Sequence, residues 1–106
     1  MFFELRHYTA TEGNRDALVK MMEEEVIPFQ TKAGMVILGS FVAEENSDGY
    51  FWIRRFRSEA EREKLYAEVY QSDTWKNDIG PRIGPLIQRE KIDVKRIVAT
   101  PRSPMQ

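Results

Sequence analysis

Apolar and polar side chains alternate from Phe2 to Tyr8 (FFELRHY), and this aromatic-rich run predicts a strand. Gly13 breaks it, and Asn14 is a candidate N-cap for a helix from about Arg15. Leu18, Met21, Met22 and Val26 recur there at helical spacing, with Lys20, Glu23 and Glu24 away from them. The Met21-Met22 pair is most simply core, and Glu23-Glu24-Glu25 a solvated helix face. Pro28 has no N–H to give and is expected to bend or end the helix. A last turn to Lys32 and a stop at Ala33-Gly34 complete it.

Two β-rich runs follow, Met35 to Ala43 (MVILGSFVA) and Tyr50 to Phe56 (YFWIRRF). The turn signal Asn46-Ser47-Asp48-Gly49 between them predicts a hairpin. Ser58 to Glu61 has the form of a capping box, in which the Ser hydroxyl bonds the N–H three residues on and Glu61 reaches back. The helix it opens should run to about Tyr70 and bury Leu65 and Val69. Ser72-Asp73-Thr74-Trp75 reads as a second, shorter start, with Trp75 and Ile79 anchoring that helix to the body. Gly80-Pro81 and Gly84-Pro85 are expected to break the chain. Lys91 to Ala99 (KIDVKRIVA) predicts the last strand.

The resulting order, β-α-β-β-α-β, is the ferredoxin-like motif of the α+β class, in which one sheet carries both helices on one face. Residues 1–106 read as a single domain, with an ordered core over 2–98 and a tail over 99–106 expected to fray.

Strand parity sorts the side chains onto two faces. Phe3, Leu5 and His7 share one with Phe51 and Ile53. Phe2, Glu4, Arg6 and Tyr8 share the other with Tyr50, Trp52, Arg54 and Phe56. The plain apolar face is the one expected to meet the helices. The aromatic and charged face would then be left open, and a second copy of the chain is expected to cover it. The expected assembly is a homodimer, two ferredoxin-like sheets pairing as a dimeric α+β barrel. Its closed space would be apolar with a few converging charges, as small-molecule pockets are. Glu4, Arg6, Tyr8, Trp52, Arg54 and Phe56 are the candidate lining residues.

Composition narrows the function classes. Sixteen basic residues against seventeen acidic ones leave a net charge of -1, without the cationic surplus that nucleic-acid binding draws on. Charges at Glu4 and Arg6 interrupt any leader-like apolar stretch, and no run approaches the roughly 20 apolar residues of a membrane span. A cytoplasmic location is the expectation. There is no Cys and one His, so a zinc site, which takes several such ligands, is not expected. No cofactor is called for.

His7 has two readings: a structural side chain under the helices, bonded to backbone, or a general base or haem ligand facing the cavity. Glu4, Arg6 and Arg54 also have two. An Arg fork could grip a carboxylate, or a buried Glu–Arg pair could simply complete the barrel. Tyr8 and Trp52 either stack on a ligand or fill the core. Ser58 is accounted for by its cap, and neither it nor Ser40 sits in a nucleophile elbow. No catalytic residue is assigned.

Phe3-Glu4-Leu5-Arg6-His7-Tyr8-Thr9 resembles the Y-E-L-R-x-Y-T opening of the NIPSNAP family. Gly13, Gly34, the Phe51-Trp52-Ile53-Arg54-Arg55-Phe56 strand, Ala60-Glu61-Arg62 and Ser72-Asp73-Thr74-Trp75 are similar to its bacterial branch, over roughly residues 2–98. Many relatives carry His-Leu-Trp where this chain has Trp52-Ile53-Arg54, so the family's His is not carried over. The resemblance implies a dimeric α+β barrel, in a superfamily that holds cofactor-free monooxygenases, haem-degrading enzymes, dehydratases and non-enzymatic members. Animal NIPSNAP proteins are linked to mitochondria and vesicle trafficking. A shared fold does not by itself carry function. The resulting expectation is a small organic ligand in the barrel cavity, with monooxygenase-like or dehydratase-like chemistry as its enzymatic form. The alternatives are a non-catalytic interaction or scaffold protein, with a solidly packed interior, and haem handling at His7.

Overall fold

The computed structural model describes residues 1–106. Strand β1 spans Phe2–Thr9 and is followed by helix α1 (Arg15–Met21), a wide π-helical turn (Met22–Val26) and helix α2 (Ile27–Ala33). Strands β2 (Val36–Val42) and β3 (Gly49–Phe56) form the hairpin, and α3 (Glu59–Tyr70) follows. A second π turn (Trp75–Ile79) runs into the short α4 (Gly80–Ile83). The 3-10 turns Gly84–Leu86 and Arg89–Lys91 lead to β4 (Asp93–Ile97). The antiparallel sheet has the order β2-β3-β1-β4, the ferredoxin-like arrangement, with both central strands from the aromatic runs.

Local sequence accounts for most boundaries. Asn46 Oδ1 accepts from the N–H groups of Asp48 and Gly49 at 3.2 and 2.8 Å, closing the hairpin turn with a side chain. Ser58 Oγ accepts from Glu61 N–H at 3.1 Å, and Glu61 reaches back to the N–H of Arg57 at 3.0 Å. Ser72 Oγ caps the next turn by accepting from Trp75 N–H at 3.1 Å. Gly34 ends α2 with φ +113°, a conformation open to glycine but strained for residues bearing a Cβ.

Two local expectations are corrected, those for Asn14 and for Gly80-Pro81, while the helix around Pro28 runs on to the expected stop at Ala33-Gly34. Asn14 does not cap α1 with its side chain; its amide donates to Thr11 Oγ1 at 2.7 Å. Pro28 does not end the helix. The chain widens just before it, with Ile27 N–H donating to the Met22 carbonyl five residues back. Pro28 then sits in the first turn of α2, where its missing N–H costs no bond. Nor does Gly80-Pro81 break the chain, because a second wide turn carries the helix through it.

The largest correction concerns the two sheet faces. Phe2, Glu4, Tyr8, Tyr50, Trp52, Arg54 and Phe56 lie buried beneath the helices. They meet Leu18, Met21, Met22 and Val26 from the first helical stretch, Leu65 and Val69 from α3, and Ile79 and Ile83. Each such apolar side chain contributes on the order of 1.5–3 kcal/mol when removed from water. The face of Phe3, Leu5, His7, Phe51 and Ile53, expected under the helices, is the one they leave aside; Phe3 on it is buried all the same, while Leu5, His7, Phe51 and Ile53 are half-buried. The reason lies in the helices themselves. α2 and α3 present Gln30, Tyr66 and Tyr70 to the sheet, and these polar groups match Glu4 and Arg54 rather than a plain apolar surface.

The covered side has two apolar clusters with a polar layer between them. Tyr8, Tyr50 and Trp52 belong to one, packed on α1 and Ile79; Phe2 and Phe56 belong to the other, packed on Met35, Leu65 and Val69. Trp75 packs against both. At the far end of the chain, Arg55 Nη1 donates to the carbonyl oxygen of Gln106 at 2.6 Å, which brings the last residues back to the uncovered face.

Candidate functional site

Arg54 is the centre of the polar layer. Register places it directly across from Glu4 on β1. Its Nε and Nη2 donate to Glu4 Oε1 at 3.2 and 2.7 Å. Nη2 also reaches Tyr66 Oη at 2.6 Å, and Nη1 reaches Tyr70 Oη at 2.7 Å and Gln30 Oε1 at 2.9 Å. A fully buried guanidinium thus has every edge engaged, which is the condition for holding a charge in the interior. Tyr66 donates to the Glu4 carboxylate at 2.7–2.8 Å.

Burial alone would push the Glu4 carboxyl up, but Arg54, Tyr66 and Arg6 outweigh it and hold it below the usual carboxylate range. Burial likewise opposes charge on Arg54, and Tyr70, Tyr66 and Glu4 outweigh it, so the guanidinium stays protonated. Burial raises the Tyr66 hydroxyl to about 12, which keeps it a donor. Both central charges are therefore fixed at neutral pH.

Beside this layer a cavity of about 500 Å³ opens between sheet and helices. The sheet contributes Arg6, Tyr8 and Trp52; the first π turn contributes Met22 and Val26; α3 contributes Tyr66 and Tyr70. The far wall is the segment from Trp75 to Ile92, and Gly80 belongs to it because a Cβ there would meet the Trp75 carbonyl at 2.8 Å. Trp52 and Trp75, the two tryptophans of the chain, both face this cavity. Trp52 stands edge-on to Tyr8 at 6.1 Å, and Arg54 lies 4.6 Å from its ring centre. Its Nε1 is buried without a hydrogen-bond partner.

The charges on the walls are of one sign. Arg6, Lys76 and Arg89 line the cavity, and no carboxylate does. Arg6 is held in place by Nε donating to Tyr8 Oη at 3.1 Å and Nη1 reaching Tyr66 Oη and Glu4 Oε1 at 3.4 and 3.5 Å.

The structure separates the six residues that parity grouped together. Arg6, Tyr8 and Trp52 line a cavity, inside the protomer and not between two sheets. Glu4, Arg54 and Phe56 lie behind its wall, buried. His7 is on the opposite side of the sheet, stacked on Phe51 with ring centres 4.2 Å apart, and it makes no bond to backbone. Tyr66, Tyr70, Lys76 and Arg89 were not singled out from sequence. The signal for the first two was present, since Tyr66 and Tyr70 sit one helical turn apart and flank the buried Val69.

A four-stranded antiparallel sheet in ferredoxin-like order, covered on one side by helices, defines the class: an α+β domain shared by several solved structures. The NIPSNAP family model matches residues 3–104, and the chain belongs to that family. Protein Atu4242 from Agrobacterium tumefaciens is 26% identical with a TM-score of 0.89, each chain covered over 100% of its length. A NIPSNAP family protein from the same organism, ATU5224, is 22% identical with a TM-score of 0.86, covering 99% of this chain and 98% of that one. An antibiotic biosynthesis monooxygenase shares the fold at 14% identity and a TM-score of 0.69, covering 95% of this chain and 100% of its own. No curated protein matches. No helix is long and apolar enough to cross a membrane.

Proposed function

We propose that the protein is a homodimer whose protomers each bind a small organic anion in the cavity between sheet and helices. The observation that carries the reading is the composition of that cavity: three cations, no carboxylate and five aromatic rings around about 500 Å³. The volume falls within the range typical of small-molecule sites. The single Glu4 carboxylate behind the wall is shared by Arg54 and Arg6, which leaves that layer one positive charge in excess, and Lys76 and Arg89 add to it on the wall. An anion would neutralise it in surroundings of low dielectric. A space of this size between side chains speaks for a ligand over the scaffold alternative, whose interior would be packed solid. Haem handling at His7 draws no support from a cavity on the other side of the sheet.

The dimer half of the reading rests on the uncovered face. The half-buried Leu5, Phe51 and Ile53 run along its two central strands, with Phe41 52% and Ile97 42% exposed at its flanks. An apolar strip of this kind, edged by Arg55, Asp93 and Lys95, marks an interaction surface, and a second copy of the same face is its simplest cover. An enzymatic form of the proposal, monooxygenase-like or dehydratase-like chemistry on the bound molecule, has the monooxygenase among its fold neighbours as support.

Tryptophan fluorescence tests the ligand half, since both tryptophans line the cavity. Titration with 1-naphthoate should quench it saturably, while methyl 1-naphthoate binds more weakly. Arg6→Gln should weaken naphthoate about tenfold, in line with ~1.5 kcal/mol for a hydrogen bond to a charged group. Equal binding of acid and ester, or no binding of either, would count against the reading.

A further inference from the structure

Two donors on residues that line the cavity are left over once the hydrogen bonds around them are assigned. Tyr70 Oη accepts from Arg54 Nη1 at 2.7 Å and from Gln30 Nε2 at 3.2 Å. The Gln30 amide has one orientation, because its Oε1 accepts from Arg54 at 2.9 Å. Both lone pairs of the Tyr70 oxygen are thereby occupied, and its own O–H has no acceptor in the chain. Donation by a guanidinium and an amide to that oxygen also polarises the O–H and strengthens it as a donor.

The second donor is Arg6 Nη2. Its Nε is committed to Tyr8 and its Nη1 to Tyr66 and Glu4. The paired N–H groups with which an arginine grips a carboxylate are therefore broken up, and one nitrogen is free. The two leftover donors belong to one hydrogen-bonded network. Arg54 holds the hydroxyls of Tyr66 and Tyr70 on adjacent nitrogens of one guanidinium, and Arg6 Nη1 lies 3.4 Å from the first of them.

We infer that Tyr70 O–H and Arg6 Nη2 donate to one oxygen of the ligand, so that the ligand class is phenols and enols, bound as their oxyanions. This rests on the small-anion reading above and narrows it. A single oxygen bearing the charge accepts from two separate donors that no longer form a fork. The aromatic walls suit the planar body that a phenolate or enolate carries. Tyr70 and Arg6 touch the ligand, while Gln30 and Arg54 are positioning residues that aim the Tyr70 proton.

The probe is 4-nitrophenol, whose neutral and ionised forms absorb at different wavelengths, with 4-nitroanisole as a counterpart that cannot ionise. Just below the pKa of free 4-nitrophenol, the protein should draw it into the phenolate form, its proton leaving to solvent. The expected drop in the pKa of the bound probe is about one unit, a tenfold preference for the anion. Tyr70→Phe should lose most of that shift while still binding 4-nitroanisole saturably, which shows that its cavity persists. Should that variant fail to fold, the pH titration of the parent protein with the two probes decides alone. Saturable binding of 4-nitrophenol with no shift, or a shift unchanged in Tyr70→Phe, overturns this inference and leaves the cavity as a ligand site. Failure of 4-nitrophenol and 1-naphthoate alike to bind overturns the small-anion reading together with it.

Discussion

Glu4 and Arg54 face each other on neighbouring strands, with Glu4 Oε1 2.7 Å from Arg54 Nη2 and both side chains sealed beneath the helices. The pair divides two apolar clusters that would otherwise merge into one core. Removing one partner abandons the other in a medium that cannot solvate it. Arg54→Met is therefore expected to lower unfolding stability by about 3–5 kcal/mol, read from urea denaturation. The double variant Glu4→Gln/Arg54→Met should recover part of the loss. A single variant as stable as the parent would show that the pair is not sealed from water.

The same pair sets an acid limit. The folded Glu4 carboxyl lies below its ordinary value of 4.5, so the unfolded chain binds the proton more readily than the folded one. Its contribution to stability is complete above 4.5 and is lost as pH falls from there through the folded value. Urea midpoints should drop more steeply over that acidic range in the parent than in Glu4→Gln. Parallel curves would assign acid sensitivity to other carboxylates.

Gly80 makes a prediction whose sign is unusual. Gly→Ala inside a helix ordinarily stabilises by up to about 1 kcal/mol. Here the new methyl would press on the Trp75 carbonyl at 2.8 Å, backbone that can move only by shifting the cavity wall. Gly80→Ala should instead destabilise, by about 1–3 kcal/mol as over-packed sites do, and weaken 1-naphthoate binding. Thermal unfolding and the fluorescence titration read the two effects.

The uncovered sheet face predicts its own test. Phe41→Glu puts a charge among apolar side chains at a position 52% exposed in the protomer, so the fold should survive it. Light scattering coupled to size exclusion should report a dimer for the parent and a shift toward monomer for the variant. A parent that is monomeric at high concentration would remove the dimer from the proposal.

Much of the fold is legible in the sequence because its punctuation is local. Ser58, Asn46, Ser72 and Gly34 each set a boundary through a bond or dihedral within a few residues. Which sheet face the helices cover is not local in this way. Both faces of β1 and β3 hold large apolar groups, and the choice depends on what the helices offer in return. Gln30 sits among apolar neighbours in α2, and Tyr66 and Tyr70 flank Val69 in α3; these are the partners that draw Glu4 and Arg54 inward. Reading the strands without their helical complements put Arg6, Tyr8 and Trp52 beside a cavity, but closed it with a second sheet where the helices close it.

The two wide turns, Met22–Val26 and Trp75–Ile79, stand on either side of that cavity and set its walls by backbone bonding as well as by side-chain bulk. Inserting one residue between the first turn and Gln30, where the turn is already widened and has no slack to absorb it, would rotate all that follows in the helix by about 100°. Gln30 would swing away from Arg54, and the Tyr70 proton would lose the partner that aims it. This wall should therefore accept exchanges of one apolar residue for another far more readily than any change in the number of residues, and its history of substitution should be rich where its history of insertion is empty.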